Sequence, residues 1–163
     1  MPTDAESGDH TLSLIGLESG NGARVAVRIG GDAVAPDEPE GGSFVAVQPS
    51  RILDTRSGAK VGELDGSGAA YTLQVGGKGG VPADGVSAVA LNVTAVATET
   101  NNFGGFVTVY PCGSRPDSSN LNFTSGQTIP NSVIAPVSAS GQVCFYVYGK
   151  AHLLADVSGY LPD

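Results

Sequence analysis

Few side chains in this sequence could carry out chemistry, and they fall into small groups. The densest is Arg51-Ile-Leu-Asp54-Thr-Arg56, where two guanidinium groups flank one carboxylate beside apolar Ile52 and Leu53. Arginine forks onto a carboxylate through two parallel hydrogen bonds. Asp156, set among Leu153, Leu154 and Val157, is a second carboxylate for such a pairing. Only 15% of the chain is charged. In that background the cluster reads as an internal network that fixes strand register, with Arg56 buried against Asp54 or Asp156. Ligand contact is the alternative.

Catalytic groups are sparse. A Ser-His-Asp hydrolase would have to use His10 or His152, the two histidines of the chain. His152 lies close to Asp156 in sequence, but no Gly-x-Ser-x-Gly elbow accompanies it. It reads as a strand-edge residue. Glycoside hydrolysis needs two carboxylates across a cleft. Glu63, Asp65 and Asp84 are available, without an aromatic platform beside them. Asp4, Glu6 and Asp9, and then Asp37, Glu38 and Glu40, lie in polar segments where ordering would oppose metal binding. No EF-hand spacing is present. The expectation is a protein that is not an enzyme and holds neither metal nor cofactor.

Binding is better served. The chain has no Trp, so a sugar-stacking surface would fall to tyrosines. Tyr146 and Tyr148 share one face of a strand, with Phe145 on the other. Together with Tyr110 they form a candidate glycan-binding face; packing with the hydroxyls at a rim is the plainer reading. Asn92 and Asn122 sit inside apolar runs, Leu91-Asn-Val and Leu121-Asn-Phe. A buried amide is costly unless bonded, so both are expected to tie neighbouring strands or loops. Each also heads an N-x-[ST] sequon, which within a strand reads as fortuitous.

The elements that must position these residues are strands. The chain has 24 Gly and 10 Pro, and its apolar share rests on Val, Ala, Ile and Leu. Gly and Pro break helices, whereas Val, Thr, Tyr and Phe suit strands. Candidate strands are Phe44–Val47, Arg51–Asp54, Tyr71–Val75, Ala88–Ala97, Gly105–Tyr110, Ser119–Phe123, Ser132–Val137, Val143–Tyr148 and His152–Val157, separated by Gly-rich turns. Short strands with frequent turns predict an all-β sandwich of jelly-roll or Greek-key type over residues 44–163. Before it, residues 1–10 read as a flexible acidic tail. Residues 11–30 read as a β-hairpin turning at Asn21-Gly22, and residues 31–43 as a Pro/Gly/acidic linker.

Cys112 and Cys144 are too few for a structural zinc site. A disulfide is expected, free buried thiols being the alternative. The net charge of −8, with scattered Lys and Arg, argues against nucleic acid and anionic membrane surfaces. No apolar run approaches the roughly 20 residues of a membrane span.

The body resembles a β-rich domain common in secreted and cell-surface proteins of actinobacteria. The matching segments are Pro49-Ser-Arg-Ile-Leu-Asp-Thr-Arg-Ser-Gly58, Val81-Pro-Ala-Asp-Gly85, Ala88-Val-Ala-Leu-Asn-Val-Thr-Ala-Val96, Gly105-Phe-Val-Thr-Val-Tyr-Pro-Cys-Gly113, Ser119-Asn-Leu-Asn122, Pro130-Asn-Ser-Val133 and His152-Leu-Leu-Ala-Asp-Val-Ser-Gly-Tyr160. They occur in one order over nearly all of the body. The resemblance implies an accessory surface module with no catalytic residue to carry over. Met1–His10 reads as acidic, without the apolar core of a signal peptide.

The expected function is therefore a surface-exposed attachment or assembly module, including the decoration of a phage capsid or tail. It would partner other protein chains, as a homo-oligomer or on a larger particle, through the N-terminal hairpin. The alternative is the accessory carbohydrate- or cell-wall-binding domain of a secreted enzyme, with a cell-surface glycan as partner. Either places the chain outside the cytoplasm, at a cell or virion surface.

Overall fold

The computed structural model describes residues 8–14, 23–29, 43–101 and 103–163. The chain divides into two units, Met1–Glu40 and Gly41–Asp163. In the first, β1 (Gly8–Leu14) pairs antiparallel with β2 (Ala23–Ile29), Leu12 facing Val25 in register. The first strand thus begins inside the segment read from sequence as a tail. The expected Asn21-Gly22 turn and nearly all of the expected linker lie outside the described residues.

The second unit is all-β. Eight strands follow: β3 (Val45–Asp54), β4 (Ala69–Gln74), β5 (Val86–Glu99), β6 (Gly105–Pro111), β7 (Leu121–Phe123), β8 (Ile129–Pro136), β9 (Gln142–Tyr148) and β10 (Lys150–Pro162). They form two four-stranded antiparallel sheets, ordered β3-β10-β5-β8 and β4-β9-β6-β7. Two of the candidate strands, Phe44–Val47 and Arg51–Asp54, are one continuous β3. Pro49 lies within it because β3 is an edge strand, where a missing N–H costs no ladder bond.

The sheets pack as a sandwich because each strand alternates. Leu91, Val93 and Ala95 of β5, with Leu153, Ala155 and Val157 of β10, line the inner face of one sheet. Val107 and Val109 of β6, with Val143, Phe145 and Val147 of β9, line the other. Phe145 is fully buried and is the largest side chain to be so. β9 and β10 follow each other in sequence but belong to opposite sheets, and Gly149 alone separates them. Its φ is +87°, and a Cβ there would meet the Glu99 carbonyl oxygen at 2.8 Å. Glycine is therefore required at this corner. β5 carries a bulge opposite the start of β10, where Ala97 takes a φ of +49°.

Cys112 and Cys144 form a disulfide across a sequence separation of 32. It joins the residue after β6 to the adjacent strand β9. In the chain-entropy model, closing a loop of that length stabilises by about 3–4 kcal/mol. Two results are expected. Phe145→Ala lowers the unfolding free energy by about 3–5 kcal/mol in urea titration. The Cys112→Ala/Cys144→Ala double variant lowers it by about 3–4 kcal/mol, and reduction of the wild type has the same effect while leaving the double variant unmoved.

Candidate functional site

The outer face of the β4-β9-β6-β7 sheet brings three partly exposed aromatic rings together. Pairing places Phe106 opposite Tyr148, Thr108 opposite Tyr146, and Tyr110 opposite Cys144. Since Val107, Val109, Phe145 and Val147 point into the core, these partners point out. The Phe106 and Tyr148 rings stack, with centroids 5.3 Å apart and planes 14° apart. Tyr146 lies 6.0 Å from Phe106 at 44°. All three rings are half-buried, so their remaining surface forms one apolar strip.

Two loops bound the strip. On one side, residues 112–120 fold back over the sheet. The disulfide pins the loop start, Thr108 Oγ1 donates to the Ser118 carbonyl, and the Asn120 N–H donates to the Val107 carbonyl at 2.9 Å. Asn120 Oδ1 accepts the Val109 N–H at 2.7 Å. The loop carries Arg115, whose guanidinium sits 4.4 Å from the centroid of the Tyr146 ring, a cation–π contact. On the other side, Tyr146 donates its hydroxyl to the Ser67 carbonyl at 2.9 Å. Gly68, with φ +63°, approaches that hydroxyl so closely that a Cβ would meet it at 2.4 Å. Glu63 bridges to the Tyr148 backbone and pairs with Lys150 at 3.4 Å. Asp65 accepts both the Ser67 hydroxyl and the Ser67 N–H, which hold its carboxyl below the usual range.

The surroundings expected for Tyr110, Asn92 and Asn122 change. Tyr110 shares the face of Tyr146 and Tyr148 but is only 6% exposed, beside the disulfide, so it adds little to the open surface. Phe106 and Arg115 are the residues that lie against Tyr148 and Tyr146. The strict alternation of Gly105–Pro111 signalled Phe106 once Val107 was assigned inward. Arg115 sits in a loop, and no sequence pattern aimed it at Tyr146. Asn92 and Asn122 are exposed on outer faces and not buried within strands, because each occupies the outward position between two inward apolar residues. The tying amides are others. Asn120 fastens β6, Asn131 donates to the Asn120 carbonyl, and Gln127 Oε1 accepts the Thr124 N–H.

The arginine cluster lies on the outer face of the other sheet. Arg51 forks onto Asp156 through Nε and Nη2 and reaches Asp54 at 3.6 Å. Arg56 forks onto Asp54, with its closest approach at 2.6 Å, and its backbone N–H also donates to that carboxylate. The arginines do pair, but Arg56 is not buried; 54% of its side chain is exposed. Leu53 points inward, Ile52 packs partly buried against the core at the register shift, and Arg51 and Asp54 point to water. Arg51 and Asp156 are paired residues of β3 and β10 beside a register shift, so the fork spans an irregular point of the ladder. The hydrogen bonds from Arg56 hold the Asp54 carboxyl well below the ordinary range, and Lys60 does the same, less strongly, for Glu99.

His152 is taken up structurally. Its Nδ1 meets the Thr55 carbonyl at 3.0 Å, so that nitrogen carries the proton. Thr55 Oγ1 accepts the Leu153 N–H at 2.9 Å. Among the described residues, no three His, Cys, Asp or Glu side chains cluster as metal ligands. An open cleft of about 480 Å³ lies between residues 54–63 and the start of β4, lined by Asp54, Lys60, Glu63 and Tyr71 among others. No family model matches the chain, and no curated protein matches it. The established description is a small, sheet-rich, all-β domain with a partly open aromatic strip.

Two measurements check the arginine cluster. Because Arg56 is solvated, Arg56→Met barely moves the urea midpoint. Asp54 and Glu99 have folded pKa values below their unfolded ones. The unfolded chain therefore binds more protons as pH falls through the carboxylate range, and stability is lost with acid. Asp54→Asn is expected to flatten that acid limb of the stability curve while leaving the neutral-pH fold unchanged by circular dichroism.

Proposed function

We propose that this chain is a non-catalytic attachment module that holds a saccharide-bearing surface through the Phe106–Tyr146–Tyr148 strip. The observation that carries the reading is the strip itself: three half-buried aromatic rings side by side on a rigid sheet. Aromatic rings offer flat apolar area at small entropic cost, and the Tyr148 hydroxyl and a guanidinium at the rim supply directional polar contacts. The site sits on paired strands, so little ordering opposes binding. The disulfide beside it suits an oxidising location outside the cytoplasm. A bacterial cell-wall or surface glycan is the ligand class this favours, in line with the resemblance to actinobacterial surface domains.

The β1–β2 unit favours a second role alongside. A two-stranded sheet alone is marginal in water, and this chain sets one apart as a unit of its own. That hairpin is the segment to anchor on another protein chain or on a larger particle, the arrangement of a virion decoration protein.

The test is binding to purified cell-wall polysaccharide and to an immobilised glycan panel. Phe106→Ala and Tyr148→Ala are expected to weaken wild-type binding at least about tenfold, as loss of a stacking ring typically does, with the disulfide intact by alkylation. Wild-type binding that both variants retain would refute the strip as the site. Absence of binding to every glycan would refute the saccharide reading. Removal of residues 1–42 is expected to leave glycan binding in place and to abolish anchorage on the particle.

A further inference from the structure

The sandwich has four edge strands, and three of them are protected against pairing with another chain. β3 carries Pro49, Arg51 and Asp54, and its ladder with β10 is broken by two register shifts. β8 carries Pro130 and Pro136. β7 is three residues long. Proline, charge, bulges and shortness are the usual means of blunting an edge. β4 has none of them. Its sequence, Ala69-Ala-Tyr-Thr-Leu-Gln74, is uncharged and free of proline, and it pairs with β9 in unbroken register. The free edge of β4 thus presents unpaired backbone groups to solvent with nothing to deter a second strand.

We propose that β4 of one copy pairs antiparallel with β4 of a second copy, joining two four-stranded sheets into one of eight. The strand suits its own copy. Residues 43–163 carry eight Asp or Glu against six Lys or Arg, so two bodies meet with little net repulsion. An uncharged six-residue edge is where that repulsion is least. A twofold axis perpendicular to the sheet keeps every side chain on its own face, so Tyr71 meets Tyr71 or Leu73 of its mate on the core side. Tyr71 is 37% exposed in the single chain and borders the 480 Å³ cleft with Ala59, Val61 and Ala69. Pairing covers that ring and narrows the cleft mouth. Thr72, on the outer side, faces the partner's small or hydroxylated residues. The contact is isologous and therefore closes as a dimer and does not run on as a fibre. It rests on neither the saccharide reading nor the hairpin reading.

The experiment is sedimentation equilibrium of the full-length chain over a dilution series. The expected mass at high concentration is twice the 16.3 kDa of one chain, falling to one chain on dilution. Thr72→Lys and Tyr71→Lys, each folded by circular dichroism, are expected to weaken the dimer at least about tenfold by placing like charge along a self-paired edge. Tyr71→Phe is expected to keep it. A chain that stays monomeric at the highest concentration overturns the proposal. So does a dimer that survives both lysine substitutions. If such a dimer disappears on removal of residues 1–42, the hairpin is the interface and β4 is not.

Discussion

The sandwich depends on the single-residue corner at Gly149. β9 and β10 are consecutive in the chain, and each occupies a central position in a different sheet. With one residue between them, the spacing and offset of the two sheets are set covalently at that point. The left-handed φ and the 2.8 Å approach to Glu99 leave no room for a side chain. On either side of the corner the chain alternates in opposite senses: Val143, Phe145 and Val147 fill one half of the core, Ala151, Leu153, Ala155 and Val157 the other. Residues 61–63 then strap the corner, through bridges from Val61 to Ala151 and from Glu63 to Tyr148. The same strap forms one wall of the aromatic strip, so the packing constraint and the candidate site share residues.

Alternation also explains what the sequence made legible. The body strands could be read because a period of two, bounded by Gly and Pro, has few other meanings in a chain this poor in helix formers. That Tyr146 and Tyr148 share one strand face and Phe145 takes the other followed from the same count, whereas which face is inward did not. Errors arose where polar residues were interpreted by their neighbours and not by their parity. Asn92 and Asn122 each lie between apolar residues, which suggests burial; counted by twos, each falls on the outer face. Arg56 was misplaced for a related reason, since Ile52 and Leu53 pack on the core while Asp54 and Arg56, further along the chain, turn to solvent. The β3 continuity past Pro49 depended on knowing that β3 is an edge, a fact of sheet order that no local pattern contains.

Long-range contacts made by loops were the least legible part. Arg115 reaches Tyr146 because Cys112 is tied to Cys144, Thr108 holds Ser118, and Asn120 fastens to Val107 and Val109. Each tie is ordinary, but their joint effect is to lay a polar loop across one end of a sheet face. That end, with Tyr110 and Thr108, is closed to solvent, while the end with Phe106 and Tyr148 stays open. The disulfide thus does more than restrict the unfolded chain; it decides which aromatic residues are surface and which are core.

The distribution of charge completes the division of labour between the two sheets. One outer face is knit by the Arg51–Asp156 and Arg56–Asp54 forks, which satisfy carboxylates with arginine fingers from neighbouring residues and strands. Such pairs are solvated and contribute little net stability, but they occupy their charges and leave that face self-contained. The opposite outer face presents rings with a cation at one rim and a Glu63–Lys150 pair at the other. That half-open apolar surface is the one on which the proposed binding function rests. The ion pairs thus close one outer face upon itself, and the rings leave the other partly open.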